Sequence, residues 1–287
     1  MSVDLNTLNI IFGVFVFLFG ISMGSFLNVV AYRVPLKISI IKPRSFCPSC
    51  KTQISNTALI PVLGYFFTHG KCGHCHEKIS IKYPIIELFT GIITTFVFYK
   101  FLNPLVILDT LPHIFSSYSY QFSKFHYTNY VPFFISLWII YTGIPLSLID
   151  IKYRILPDAI TLPGIMIGFV ISSLNPQMGW YESLLGIGVG AGGLFFIAKL
   201  YEIIRNKAGM GLGDVKYLGF IGAVLGWKGA IFSLFFASII GAFFGIIWGI
   251  ISKKGLATAI PFGPFLAVGA FAVSTFGSEL LYFIFRN

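Results

Sequence analysis

Charged side chains are scarce in this sequence: 10% of its 287 residues are charged, whereas 56% are hydrophobic. Soluble domains carry about 25% charged residues, so this composition excludes an ordinary water-soluble globular protein. Acidic residues are the scarcest, because ten Asp and Glu accompany twenty Lys and Arg. A charge inside a bilayer is costly, and each acidic residue within an apolar segment therefore needs a physical reason.

Long apolar runs make up most of the sequence. The mean hydropathy is +0.85, and a hydrocarbon core about 30 Å thick is crossed by roughly 20 helical residues. Eight runs of suitable length predict an all-α polytopic membrane protein with about eight transmembrane helices, embedded in the lipid bilayer. The runs begin near Leu8, Ile81, Val131, Ala159, Glu182, Val215, Ala230 and Ile260.

Basic residues give the chain a formal net charge of +10, and their placement indicates topology. With eight spans and the N-terminus outside, sixteen of the twenty basic residues fall in cytoplasmic segments. Membrane proteins carry such an excess on the cytoplasmic side, so we do not expect nucleic-acid binding. The segment 103–130 is expected to be an outside loop. The basic residues left outside are Lys100, Lys124, Lys228 and Arg286.

Three regions follow one another along the chain. Residues 1–33 form an N-terminal transmembrane anchor, in which Arg33 is expected to reach the lipid headgroups. Residues 34–83 form a polar cytoplasmic insert that contains all four cysteines. Residues 84–287 form a helical bundle whose fifth span is rich in glycine, which we expect to serve close helix packing. These glycines are Gly186, Gly188, Gly190, Gly192 and Gly193.

Two CxxC pairs lie in the insert, Cys47 with Cys50 and Cys72 with Cys75, and 21 residues separate them. A CxxC turn presents two thiolates on one side of a knuckle, and two knuckles complete a tetrahedral metal site. Disulfides are rare in the reducing cytoplasm. Structural Zn²⁺ bound by all four cysteines is therefore favoured over two disulfides or a redox pair. Less favoured substitutes as ligands are His69, His74 and His76.

Two aspartates lie where apolar runs meet the expected cytoplasmic face. Asp150 ends the third span, and Asp214 opens the sixth. Two facing carboxylates share a proton, so one can act as general base on a water while the other acts as acid toward a substrate carbonyl. Gly211 and Gly213 would let a peptide strand approach the backbone beside Asp214. The pattern is compatible with an aspartic protease.

Other interpretations of these carboxylates stay open on spacing alone. An acidic residue near a helix N-terminus can be a partner of the helix dipole, which fits Asp158 and also fits Asp214. Asp150 lies at a helix C-terminus, where the dipole disfavours a negative charge. It could instead form a surface ion pair with the nearby Lys152 or Arg154.

Several motifs follow one another in the chain. They are GSFLNVVAYR at 24–33, the double CxxC insert with ISIKYPIIEL at 79–88 after it, the Leu-Pro-Asp turn at 156–158, GLGD at 211–214 and Pro-Phe-Gly-Pro at 261–264. In this order they resemble the bacterial type IV prepilin peptidases, which are GxGD-type intramembrane aspartic proteases. The resemblance covers nearly the whole chain.

The resemblance implies an endopeptidase of the bacterial inner membrane that removes the leader peptide of type IV prepilins or pseudopilins. Such enzymes cut at the cytoplasmic side, just after a glycine and before the apolar helix of the substrate. The resemblance also implies that Asp150 and Asp214 are the two catalytic aspartates. Members with the cysteine insert commonly methylate the new N-terminus with S-adenosylmethionine, so both activities are expected.

Two function classes compete with this interpretation. An ion-coupled transporter would use the same aspartates to carry protons or cations, but would place them near the bilayer midplane. A non-enzymatic scaffold would use the zinc knuckle to dock an assembly ATPase. Within the second span, Glu87 could pair with a lysine, help to bind the methyl donor or lie at the level of the headgroups.

Overall fold

The computed structural model describes residues 5–102, 120–175, 178–206, 211–252 and 260–285. Helices dominate these residues, among which the only β pairing is two isolated antiparallel bridges. Five helical stretches are long and apolar enough to cross a membrane, and two shorter helices are also apolar. The described residues therefore confirm the predicted all-α membrane architecture.

The chain divides into two compact units, Met1–Phe125 and His126–Asn287. The first unit contains α1 (Leu5–Arg33), a short α2 (Leu63–Phe67) and α3 (Lys82–Leu102). The two long helices match the first two predicted spans, and the short one lies in the polar insert between them.

Helices α1 and α3 pack antiparallel along a seam of small residues. A Cβ at Gly20 would lie 2.8 Å from the Cα of Gly91, and a Cβ at Gly24 would lie 2.8 Å from the Cα of Glu87. Thr90 is buried in the same seam, and its hydroxyl donates a hydrogen bond within its own helix. Larger side chains at the two glycines would force the backbones apart, and close approach of this kind is how helices associate in lipid.

Two polar side chains of α1 anchor the chain around its C-terminal end. The Asn28 side-chain amide donates to the Tyr83 carbonyl at 3.2 Å. Arg33 is 4% exposed, and its guanidinium donates to the carbonyls of Ser39 at 2.8 Å and Arg44 at 3.3 Å. Arg33 therefore holds the start of the insert against α1, instead of reaching the headgroups as the sequence predicted.

The second unit is a bundle of helices. A five-residue π-helical segment interrupts its fifth-span helix, and such a segment inserts an extra residue into the helical turn. The elements in chain order are α4 (Tyr120–Tyr153), α5 (Asp158–Ser173), α6 (Gly179–Ile187), the π-helical segment (Gly188–Gly192), α7 (Gly193–Arg205), α8 (Leu212–Ser252) and α9 (Gly263–Phe285).

Helix α4 begins at Tyr120, so residues 120–130 are helical and do not belong to an outside loop as predicted. This stretch contains neither glycine nor proline, the two residues that most disfavour a helix, and its polar composition alone suggested a loop. The remainder of the predicted loop, residues 103–119, lies outside the described residues.

Helix α8 contains 41 residues. At 1.5 Å per residue it would span about 60 Å, twice the thickness of a hydrocarbon core. It is divided at Gly226, where φ is 72° and ψ is 179°, a conformation essentially restricted to glycine. With this division, the described helices include apolar segments at all eight predicted positions.

The division at Gly226 interrupts the hydrogen-bond ladder of α8, and hydroxyl groups of two neighbouring helices compensate for it. Ser183 donates to the Ala223 carbonyl at 2.6 Å, and Ser172 donates to the Val224 carbonyl at 2.9 Å. All of these groups are buried. A carbonyl without a partner is costly where no water is present, so the two serines stabilise the break.

Two of the five glycines in the fifth span serve the predicted packing. Gly186 faces the backbone of Gly222, and Gly190 faces the carbonyl of Leu218. A side chain at either position would push α8 away. At the other three, an added Cβ would have no neighbour within 4 Å in the part of the chain that the structure describes, and these are Gly188, Gly192 and Gly193.

The variant Gly226→Ala tests the division of α8. Its Cβ would lie 3.1 Å from Met178 Cε and 3.4 Å from Glu182 Oε2, in a backbone conformation that side chains rarely adopt. We expect a loss of about 1–3 kcal/mol of stability, measured as a lower midpoint of thermal unfolding in detergent. The matched Gly188→Ala should change stability by no more than about 0.5 kcal/mol. Equal midpoints for the two variants would contradict the role of Gly226.

Candidate active site and metal centre

Asp150 lies in the last turn of α4 and is 6% exposed. Its Oδ2 accepts a hydrogen bond of 2.8 Å from the backbone N–H of Gly263, the first residue of α9. The first N–H groups of a helix have no partner within the helix and carry a partial positive charge. The N-terminus of α9 therefore stabilises a carboxylate that the C-terminus of its own helix disfavours.

Glycine is required at position 263 by this contact. An added Cβ would lie 2.8 Å from Asp150 Oδ2 and 3.1 Å from Leu156 Cδ2. Sequence reasoning noted Pro-Phe-Gly-Pro at 261–264 as part of a resemblance, but did not connect it with Asp150. The sequence feature that could have indicated a special role for Gly263 is its position between two prolines immediately before an apolar run.

Asp214 is the third residue of α8, and its N–H donates to the Gly211 carbonyl at 3.2 Å. Leu156 joins its surroundings to those of Asp150, because Leu156 lies against both Gly213, the residue before Asp214, and Gly263, whose N–H binds Asp150. The structure thus brings together two aspartates that are 64 positions apart in the sequence. Because α4 ends and α8 begins here, both acids lie at the same end of the second unit.

The two glycines predicted to admit a substrate strand have different surroundings. Gly211 is exposed, and the nearest atom to an added Cβ is Asp214 Oδ2 at 3.8 Å. Gly213 instead packs on Leu156, whose Cβ would lie 3.0 Å from an added Cβ. Among the described residues, open space beside the second aspartate therefore lies at Gly211, whereas Gly213 serves packing.

Asp158 does not belong to this pair. Its carboxylate forms an exposed ion pair with Lys216, with Nζ–Oδ distances of 2.7 and 2.8 Å. The pair links the first turn of α5 to α8 next to the site. Exposed ion pairs contribute about 0–1 kcal/mol, so Asp158 has a minor structural role and is useful as a control. Arg154, which the sequence suggested as a partner of Asp150, donates its backbone N–H to the Asp150 carbonyl at 2.8 Å.

The four cysteine thiols lie within 4.8 Å of one another in the first unit. Sγ–Sγ distances are 3.8 Å for Cys47 and Cys75 and 3.9 Å for Cys50 and Cys72. These distances are too long for disulfides, in which the sulfurs are about 2.05 Å apart. They match the separation of about 3.8 Å that a tetrahedron of Zn–S bonds of about 2.3 Å requires. The four thiols therefore fit a tetrahedral zinc site.

The two CxxC turns share one backbone hydrogen bond, and the residue after the second cysteine has the same backbone conformation in both. In the first, Lys51 donates its N–H to the Cys47 carbonyl at 2.9 Å, and in the second His76 donates to Cys72 at 3.0 Å. Both donors have positive φ, 59° and 57°. Gly70, two residues before Cys72, also has positive φ, 64°. Gly73 is not among the positive-φ residues. The described histidines of the insert lie outside the metal-binding group, which contains cysteines alone.

The thiols of this cluster ionise unequally. Hydrogen bonds to Thr52 lower the pKa of Cys50 to about 6, and backbone hydrogen bonds in the second turn lower the pKa of Cys72. The backbone of Glu77 favours the Cys75 thiolate, but desolvation and the neighbouring thiols raise the Cys75 pKa to about 12. Full ionisation of the cluster thus requires a positive charge among the sulfurs, and a bound divalent cation supplies one.

Glu87, 8% exposed in α3, joins three parts of the first unit. Its Oε2 accepts the backbone N–H of Val62 at 2.6 Å, and the Ser25 side chain of α1 also bonds to it. Val62 has φ of 63° and ψ of −57°, which is unfavourable for a β-branched residue. One carboxylate therefore holds a strained loop between the two CxxC turns against both long helices. Sequence reasoning did not predict this partner.

The chain is similar to known proteins over most of its length. Residues 18–101 match the Bacterial Peptidase A24 N-terminal domain, and residues 130–246 match the Type IV leader peptidase family. A prepilin leader peptidase/N-methyltransferase of Bacillus subtilis (strain 168) is 31% identical over 270 residues, which cover 94% of this chain and 96% of the relative. A protein of the same name from Pseudomonas putida is 28% identical over 283 residues, covering 91% and 89%, respectively. No solved structure matches the chain.

Replacement of Cys50 by serine tests the metal centre. We expect Cys50→Ser to lose bound zinc, because three thiolates no longer close the tetrahedron, with metal content measured by mass spectrometry of the purified protein. His74→Ala is the matched control, since His74 lies in a CxxC turn but outside the four-cysteine cluster. It should keep the zinc content of the wild type, and a loss of zinc would show that a histidine contributes to the site.

Two substitutions of Glu87 test the contact with Val62. Glu87→Ala leaves the Val62 N–H without its acceptor, which should cost about 1–3 kcal/mol. Glu87→Gln keeps an oxygen that can accept this hydrogen bond and should lose much less. The measurement is thermal unfolding in detergent together with limited proteolysis of the insert. Faster cleavage in the glutamine variant than in the alanine variant would contradict the assigned contact.

Proposed function

The chain belongs to the type IV leader peptidase family, and we propose that it is a membrane aspartic endopeptidase that also methylates the amino group it exposes. Its substrates are type IV prepilins or pseudopilins, from which it removes the leader peptide. The observation that carries the proposal is that two carboxylates, Asp150 and Asp214, lie at the same end of the second unit, where α4 ends and α8 begins. The family matches and the names of the relatives support the reaction class.

Two carboxylates that share one proton can hydrolyse an amide without a covalent intermediate. The ionised carboxylate takes a proton from a water whose oxygen attacks the scissile carbonyl carbon, while the protonated carboxylate donates its proton to the carbonyl oxygen. When the C–N bond breaks, the carboxyl that took the water proton gives it to the leaving amine, and a hydroxyl of the tetrahedral intermediate returns its proton to the other carboxylate. The pair is then again in its starting state, with one proton shared between two carboxylates. In this scheme Asp150 and Asp214 are the catalytic residues.

The surroundings of the pair support this assignment. The Gly263 N–H fixes one oxygen of Asp150 at 2.8 Å, so its carboxylate has a defined orientation. Beside Asp214, the exposed Gly211 leaves room for a substrate backbone. Such preorganisation matters because a misplacement of about 1 Å can reduce rates by about 10²-fold.

The proposed location is the bacterial inner membrane, with the N-terminus outside and the aspartates at the cytoplasmic face. The apolar helices support a multi-pass membrane protein. The distribution of basic residues supports the orientation, because cytoplasmic segments carry the excess of Lys and Arg. Water reaches a carboxylate pair at this interface more readily than at the bilayer midplane, and hydrolysis consumes a water.

Three functional regions are proposed: residues 1–33 as an anchor, 34–83 as a zinc-binding domain and 84–287 as the peptidase bundle. Cys47, Cys50, Cys72 and Cys75 would hold Zn²⁺ in the second region. With four thiolates the coordination shell is closed, so the ion supplies structural stability to a segment that has only short helices of its own.

S-adenosylmethionine is the proposed methyl donor and would supply an electrophilic methyl group. The amine that cleavage exposes would be the acceptor of this methyl group. No residue is assigned to the donor. Methyl transfer requires the free amine, so it must follow cleavage.

Asp150→Asn and Asp214→Asn should each reduce leader removal by at least about 10³-fold, because loss of one member disables an acid–base pair that acts as a unit. The experiment is mass spectrometry of a detergent-solubilised prepilin incubated with purified protein and S-adenosylmethionine. Wild type should yield a product that lacks the leader and carries one added methyl group.

Asp158→Asn is the matched control, since it removes an exposed carboxylate beside the site without touching the pair. It should keep most of the cleavage activity. A substrate already cut should be methylated by Asp150→Asn as by wild type, which separates the two reactions. Normal cleavage by Asp150→Asn would reject the aspartic mechanism, whereas failure of wild type to cut would favour a scaffold function.

A further inference from the structure

An open groove of about 420 Å³ runs along one side of the second unit. Its walls come from the start of α7, the second half of α8 and the segment that leads into α9. The lining is apolar apart from Ser238, whose hydroxyl donates to the Leu234 carbonyl at 2.8 Å. Among the described residues that line the groove, Ser238 alone has a polar side chain, and its hydroxyl proton is already engaged within α8.

The floor of the groove is one face of α8 made mostly of small residues. Leu234, Ser238, Gly241 and Ala242 recur at spacings of four, three and one, so they share one side of the helix. Ser238 and Ala242 are exposed. Small exposed residues on a lipid-facing helix allow a second helix to approach closely. The groove has the shape and chemistry to receive an apolar helix from the bilayer.

One wall of the groove is continuous with the candidate active site. Phe262 lines the groove, and the next residue, Gly263, donates its N–H to Asp150. Consecutive Cα atoms are about 3.8 Å apart, so the groove begins within one residue of the group that fixes a catalytic carboxylate. The groove and the carboxylate site therefore meet at the start of α9.

We propose that this groove binds the apolar helix that follows the cleavage site of the substrate. The inference rests on the proposed function, which requires a substrate whose scissile bond directly precedes such a helix. The charged leader is a poor occupant, because a groove without polar partners would leave its charges unsolvated. The apolar helix loses nothing by exchanging lipid contacts for protein contacts, and its binding aligns the scissile bond with the carboxylate pair.

Filling the groove tests this assignment. Ser238→Leu and Ala242→Leu add bulk at exposed positions, so neither disturbs buried packing. Each variant is compared on a full-length prepilin and on a peptide truncated within the apolar helix. Wild type should prefer the full-length substrate in kcat/KM, and each variant should lose about tenfold of that preference. Ile239→Phe, a bulkier residue at the neighbouring exposed position outside the groove, should retain the preference of wild type.

Photo-crosslinking gives a second readout that does not depend on turnover. A photoreactive amino acid at position 238, in the Asp150→Asn background, should capture the apolar segment of an uncut prepilin. The same amino acid at position 239 should capture much less. Capture of lipid alone at position 238, or an unchanged substrate preference in Ser238→Leu, would overturn the groove assignment while leaving the peptidase in place. Failure of wild type to cut either substrate would overturn both proposals.

Discussion

The hydrogen bond between the Gly263 N–H and the Asp150 carboxylate joins the end of α4 to the start of α9. Asp150 is buried at a helix C-terminus, where its charge would be unfavourable without such a donor. Leu156 and Gly213 pack around the same point, which brings the start of α8, and with it Asp214, beside Asp150. The geometry of the carboxylate pair, and the position of the groove that begins at Phe262, both depend on this contact.

The bilayer imposes a second constraint, which is that every buried backbone group needs a partner within the protein. The second unit meets this constraint where α8 is divided at Gly226, because Ser172 and Ser183 donate to two consecutive carbonyls in the turn before the division. Helices in lipid also associate through close packing, and close approach of their backbones increases the area in contact. Gly186 and Gly190 bring the fifth-span helix against α8, and Gly20 and Gly24 do the same for α1 and α3.

The first unit uses buried polar side chains to attach a polar insert to apolar helices. Arg33 holds the start of the insert through two carbonyls, and Glu87 holds the loop between the CxxC turns through Val62. Both side chains are nearly inaccessible to solvent. The four-cysteine cluster then fixes the two turns relative to each other. A short segment with little core of its own thus acquires a defined structure from charged groups at its edges and thiols at its centre.

The sequence by itself determined the features that are local in the chain. Apolar runs predicted the helices, and the CxxC spacing predicted the metal cluster, because each of these patterns lies within a short stretch of the sequence. The positions of Asp150 and Asp214 at the ends of two such runs predicted that the two aspartates form a pair. Tertiary structure alone decided that Gly263 binds Asp150 across 113 positions, that Glu87 binds Val62 and that Arg33 is buried. Hydrophobic periodicity in the sequence does not predict these contacts, because they form only when segments distant in the sequence pack side by side.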